Sequence, residues 1–294
     1  MSVLHDIRAP GFHDVVGDAP LEKLAGGFGF IEGPVWYAED RSLVFSDIAN
    51  NRMHRRLASG TIEVFRDPSN KANGNTLDHQ GRLLTCEHAT SRVSRLEADG
   101  SLVILASHYR DRELNSPNDI VVNRAGAIYF TDPTYGRMEY YGVPRPLQLG
   151  FQGVYRMAED GSELTCLVDD FAQPNGLCFS ADEKRLFVND TERYHIRVFD
   201  VSPSGDLAGG AVWAETIGEG EGGPDGMKLD SAGNIYCCGP GGLHVFDPSG
   251  ATLGVIRTPE MVANFSFGDD DLRTLYITAS SSLYRLRVKV PGLV

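Results

Sequence analysis

Six times along this chain an acidic or amide residue, usually followed by Gly, stands at the head of an alternating apolar stretch. The heads are Glu32, Asn73, Asn118, Asn175, Asp225 and Asn264. Ten or eleven residues after each comes a second β-rich run, L-V-F-S-D from Leu43, L-L-T-C-E from Leu83, I-Y-F-T-D from Ile128, L-F-V-N-D from Leu186, I-Y-C-C-G from Ile235 and L-Y-I-T-A from Leu275. The turns between the two runs, such as D-H-Q-G and D-S-A-G, use residues that tolerate positive φ or bond their own backbone. Third runs follow, among them R-V-S-R-L and G-V-Y-R-M, and most repeats close with a fourth, such as T-I-E-V-F and L-V-I-L-A. A period of roughly 40–50 residues built only of strands is the signature of a β-propeller.

Each repeat therefore reads as one blade of four short antiparallel strands, and the chain as an all-β, six-bladed propeller. The sixth repeat has only three runs before the chain ends. A missing fourth strand would leave an unprotected edge. The segment Leu21–Ala25 has the length and pattern to supply it, so the ring is expected to close with an N-terminal strand. The 294 residues alone would suggest two domains, but all six repeats are needed for one ring. Residues 21–294 are thus expected to form one propeller domain, with 1–20 an extension or cap that holds a short helix.

Composition narrows the partners. The net charge is -13 and no Lys/Arg cluster occurs, which argues against nucleic acid, whose phosphates must be neutralised. No stretch approaches the roughly 20 apolar residues of a membrane span, and the N-terminal stretch lacks a signal-peptide apolar core. Cys86, Cys166, Cys178, Cys237 and Cys238 fall inside expected strands. They read as reduced core residues of a cytoplasmic protein.

In a propeller the first strand of every blade lines the central channel, so the six heads gather at one end of it. The second strand runs back antiparallel and returns its last residues, Asp47, Glu87 with His88, Asp132 and Asp190, to the same end. One long insertion, from about 133 to 153 and rich in Tyr, Pro and Gly, lies over this face; such loops serve binding or gating. Glu32, Asn118, Asn175 and Asp225 together offer two carboxylates and two amide oxygens. These are hard ligands that suit Ca²⁺, with Mg²⁺, Mn²⁺ or an opportunistic Zn²⁺ as alternatives. Four protein ligands leave room for water and substrate. Asn-Gly and Asp-Gly are also common hairpin pairs, so the heads read alternatively as turns. Against this, strand follows each head directly and Pro117, Pro174 and Pro224 precede three of them.

E-G-P-V-W (32–36), S-P-N-D (116–119), F-T-D-P-T-Y-G (130–136), Q-P-N-G (173–176) and P-D-G-M (224–227) resemble the gluconolactonase/SMP-30 (regucalcin) family, and its bacterial gluconolactonases in particular. The likeness runs from about 25 to 290. It implies a six-bladed propeller with one divalent cation at the channel mouth, and hydrolysis of a small-molecule sugar lactone. By motif, Glu32, Asn175 and Asp225 would be metal ligands, with Asn118 a fourth ligand or a substrate contact. The animal proteins carry an Arg at the position of Ser116, where it contacts substrate. Organophosphate and arylester hydrolases share this architecture, and a non-catalytic calcium-binding propeller is a third reading.

The expected mechanism is polarisation of the lactone carbonyl by the cation, with Asp225 taking a proton from the attacking water; a rival version makes Asp225 the nucleophile. Asn73, His88, Ser116, Asn118, Asp132 and Tyr135 are the candidate substrate contacts. The G-x-G-x-x-G match at 218–223 carries glutamates that would repel a pyrophosphate and is expected to be a linker. Neither a G-x-S-x-G elbow nor an H-E-x-x-H motif occurs.

Overall fold

The computed structural model describes residues 5–293. Their strands form six antiparallel blades around a central channel, with one small extra hairpin at His108–Glu113. The innermost strands are Ile31–Tyr37, Ala72–Leu77, Ile120–Val122, Pro174–Phe179, Met227–Leu229 and Val262–Gly268. Each opens within two residues of one of the six heads. The second strands, from Ser42–Asp47 to Thr274–Ala279, pair with them antiparallel, so their last residues return to the channel end where the heads lie.

The sixth blade is completed by Glu22–Gly26, which pairs antiparallel with Ser282–Arg287. The ring therefore closes with an N-terminal strand, and Arg285 bonds Glu22 at 2.9 Å across that seam. Upstream, Asp6–Ile7 adds a fifth strand to the edge of blade five. The single helical turn Phe12–Val15 drops Phe12 and Val15 into the apolar layer shared by blades five and six, against Leu253, Leu286 and Val288. The core is a set of such inter-blade layers. Four of the five cysteines are buried in them, Cys166 is half-buried, and all five are free.

The Gly that follows a head has a packing reason. A Cβ at Gly33 would lie 2.0 Å from the carbonyl oxygen of Asn73, and one at Gly176 2.1 Å from that of Asp225. At Gly74 it would lie 2.3 Å from the Asn118 carbonyl, and at Gly226 2.1 Å from the Asn264 side chain. Each of these glycines touches the head of the next blade, so the ring of heads is as tight as backbone allows. The innermost strands also slip register at the head, between Glu32 and Val35, Ala72 and Asn75, and Pro174 and Leu177. A bulge of this kind re-aims a side chain, here into the channel. The heads are thus not turns.

Candidate active site

A second repeated device fixes the heads. The penultimate residue of one blade's second strand donates to the carbonyl of the next blade's head. Ser46 Oγ reaches Asn73 O at 2.8 Å, Thr131 Oγ1 reaches Asn175 O at 2.8 Å and Asn189 Nδ2 reaches Asp225 O at 2.5 Å. With carbonyls tied and glycines packed, only the head side chains remain to face the channel.

There the structure brings Glu32, Asn175 and Asp225 together. The Asp225 carboxyl lies close enough to Glu32 and to the Asn175 side chain for both to act on it. Asn175 Nδ2 also donates to Thr191 Oγ1 at 3.2 Å, and its Oδ1 is buried without a partner. Glu32 is 3% exposed and accepts from Asn264 Nδ2 at 2.9 Å and from the Gly33 N–H. Burial, and after it the charge of Asp119, pushes its carboxyl up to about 7. Burial again, then Glu32 and Asp119, holds the Asp225 carboxyl well above the carboxylate range. Two crowded carboxyls beside an orphaned amide oxygen are an arrangement that a divalent cation would relieve. The donor set fits such an ion: hard oxygens from two carboxylates and one amide. Among the described residues no group of three His, Cys, Asp or Glu forms a metal-holding cluster, in keeping with that mixed set. Asn118 is buried, with its N–H on Thr131 O and its carbonyl accepting from Gly74 N–H, each at 2.8 Å. No hydrogen bond links its amide to either carboxylate, although Asp119 beside it acts on both.

The outer ring of acids does a different job. Asp132 accepts the N–H groups of Asn115 and Ser116 at 2.8 and 2.7 Å. Asp190 does the same for Ala172 and Gln173, and Asp47 for Gly29 and Phe30. In three blades, then, the acid ending the second strand caps the loop that delivers the head. A buried carboxylate needs such donors. Asp132 is fully buried, and burial pushes it up to about 7 despite its two N–H partners. Both of its oxygens are engaged by the loop backbone that delivers Asn118.

Ser116 and His88 are likewise committed. Ser116 Oγ donates to Pro133 O at 2.7 Å and accepts from Gly136 N–H at 2.9 Å. His88 is 1% exposed and contacts Tyr141 O through Nδ1 at 3.1 Å and Asn73 Nδ2 through Nε2 at 3.0 Å. Burial brings its pKa down to about 4, so it is a neutral ring that donates to Tyr141 O and accepts from Asn73. Both residues hold the long insertion, which crosses the mouth as a strap. The Tyr140 hydroxyl donates to Gly29 O at 3.1 Å, Lys71 Nζ to Tyr140 O at 3.0 Å, and the Tyr141 ring packs edge-on against Phe30. Arg145 ties the far end to Glu113 and Ser91.

Two expected contacts remain at the mouth. Asn73 has its Oδ1 buried without a partner, and Tyr135 has a buried, unpartnered hydroxyl near Thr191 and Asp225. Burial, then Asp225, also raises Tyr141, which puts a second strap tyrosine beside the carboxylates. A cavity of about 920 Å³ opens at the opposite end of the channel among Trp36, Asn75, Val121, Phe179, Lys228 and Phe267.

Asp119, Lys228, Asn264 and Tyr141 were not among the expected site residues. The repeat itself marks two of them. Asp119 stands where four heads are followed by Gly, and Lys228 is the one basic residue three places after a head, where the other repeats have Val35, Thr76, Val121, Cys178 and Phe267.

Fold and site together define a six-bladed propeller with carboxylates and amides gathered at one mouth of its channel. The chain belongs to the SMP-30/Gluconolactonase/LRE-like family, whose model matches residues 30–281. It is 29% identical to a gluconolactonase of Zymomonas mobilis, over 93% of this chain and 82% of that protein. A pentonolactonase of Haloferax volcanii is also 29% identical, over 85% of this chain and 81% of its own. The solved structure of a gluconolactonase from Xanthomonas campestris superposes with a TM-score of 0.90 at 36% identity, covering 97% of this chain and 94% of that one.

Proposed function

We propose that this chain is a lactonase that opens sugar lactones to their hydroxy acids at the channel mouth and depends on a divalent cation, Ca²⁺ by preference. Family membership supports the reaction class, and the relatives named for six- and five-carbon sugar lactones support the substrate class. The observation that carries the site is the proximity of Glu32 and Asp225 beside the orphaned Asn175 oxygen.

Glu32, Asn175 and Asp225 would hold the cation, with Asn118 a fourth ligand or a substrate contact. When bound, the cation supplies Lewis-acid polarisation of the lactone carbonyl and offsets the negative charge that develops on its oxygen. Asp225 accepts a proton from the water that adds to the carbonyl carbon. The ring C–O bond then breaks, and the proton passes to the departing ring oxygen, giving the hydroxyl of the product acid. A half-buried carboxylate with a raised proton affinity suits that exchange better than nucleophilic attack. Asn73 and Tyr135 present unpartnered polar atoms for the sugar hydroxyls, and the strap shields the mouth from bulk water.

The test is acid release from glucono-δ-lactone. Hydrolysis should be lost with chelator and restored by Ca²⁺. Asp225→Asn should keep cation binding within about tenfold yet lower turnover by roughly 10²–10⁴. Near-normal turnover of cation-loaded Asp225→Asn would remove Asp225 from this role. Glu32→Gln should instead weaken cation affinity first, as read by titration calorimetry.

A further inference from the structure

Two charges on the underside of the proposed cation site have no part in the steps above. Asp119 is 2% exposed; Ile120 N–H donates to its Oδ1 at 3.0 Å, and its Oδ2 is buried without a partner. Lys228 projects from the innermost strand of blade five into the same part of the channel. Its Nζ lies 3.4 Å from Asn264 Oδ1, and Asn264 turns its Nδ2 to Glu32 at 2.9 Å. The Phe265 N–H, donating to the same Oδ1 at 2.9 Å, fixes which way the Asn264 amide faces, and the ammonium adds its charge on that side. It is the one cation among the main influences on both Glu32 and Asp119, and it also acts on the buried thiols of Cys178 and Cys238. Asp119 acts on both Glu32 and Asp225, Glu32 acts on Asp225, and Lys228 opposes the charge of Glu32 and Asp119.

We infer that Lys228 sets the charge selectivity of the cation site. With a cation bound and the protons displaced by it, the three carboxylates and one ammonium would carry two net negative charges, the match for a divalent ion. Without the ammonium the same channel would match a trivalent ion. Glu32 and Asp119 are buried and Lys228 is half-buried beside them, so its charge is felt more strongly than on an open surface, and repulsion from Lys228 grows with the charge of the incoming ion. Lys228 therefore penalises a trivalent cation more than a divalent one of similar size. It acts as a positioning and selectivity residue, through Asn264 and through space, and touches no substrate.

The inference rests on the proposed cation site, and the experiment separates the two. Full-length wild type, Lys228→Gln, Lys228→Arg and Asp119→Asn are titrated with Tb³⁺, read by luminescence sensitised from the aromatic side chains at the mouth, and then displaced with Ca²⁺. In Lys228→Gln the preference for Tb³⁺ over Ca²⁺ should rise on the order of tenfold. Lys228→Arg should read as wild type, and Asp119→Asn should move the preference the opposite way. The Asp119 variant keeps the inference falsifiable should Lys228→Gln fail to fold. An unchanged preference in either Lys228→Gln or Asp119→Asn overturns the role of Lys228, as does an equal change in Lys228→Arg. A wild type that binds neither ion overturns the cation site itself, and this inference with it.

Discussion

At Gly176 a single hydrogen atom decides the position of a functional side chain. A Cβ there would meet the Asp225 carbonyl at 2.1 Å, and that oxygen is backbone already held by Asn189. Gly176→Ala should destabilise the protein by about 1–3 kcal/mol and weaken cation affinity by displacing Asp225. Gly150→Ala, with nothing within 4 Å of the new atom, should change neither; thermal denaturation and titration calorimetry read both. Asp132 makes a separate prediction at this scale. Burial raises its folded pKa to about 7, above the ordinary carboxyl value. A raised carboxyl contributes stability that is fully present below its unfolded pKa and is lost as pH rises through the folded one. Denaturant unfolding of the cation-free protein should therefore show stability falling between about pH 4 and 7, and Asp132→Asn should flatten part of that fall.

The elements that matter most are the strap and the closing strand. The sixth blade's seam is gathered by Glu260, which accepts from Ser281 N–H at 3.0 Å, Ser281 Oγ at 2.9 Å and the Tyr284 hydroxyl at 2.7 Å, with Lys23 of the closing strand 3.5 Å away. Burial opposes ionisation of Glu260, yet the hydroxyls of Ser282 and Tyr284 together with Ser281 bring its carboxyl down to about 2. Its contribution is present above the unfolded pKa and is lost as pH falls toward about 2. Glu260→Gln should cost about 1–2 kcal/mol at neutral pH and lessen the acid sensitivity, measured by denaturant unfolding at pH 7 and pH 3. Blade count, strand order and the closing segment were legible in the sequence because strand period and turn chemistry are local. The trio Glu32, Asn175 and Asp225 was legible as positions in a repeat. What was not legible was direction. Asp47, Asp132 and Asp190 sit at the right end of the channel but face loop backbone, and only the N–H groups they cap reveal it. Their recurrence across blades was itself a sign of scaffold, whereas Asp119 and Lys228 each break the repeat once. The bonds of His88 and Ser116 to the strap were not legible for a related reason: the strap is distant in sequence, and nothing local announces where it lands.

Across the whole molecule, the site is assembled from opposite ends of the chain. Asn264 and Glu32, bonded at 2.9 Å, are 232 positions apart, and the Arg285–Glu22 seam spans 263. Contacts of such separation form late, since their loop-closure entropy must be met before they stabilise anything. During synthesis the closing strand emerges first and has no partner until blade six exists. For that interval it is an unpaired edge segment, exposed to association with other chains. In a refolding experiment, intrinsic fluorescence of the blades should recover before cation binding does, and lactone hydrolysis should follow cation binding rather than precede it. A permuted chain carrying residues 1–26 after Val294 through a flexible linker should close faster, because the strand would then follow its own blade. The N-terminal strand is therefore more than a seal on the ring. It is a timing element: until it docks, the protein has blades but no chemistry.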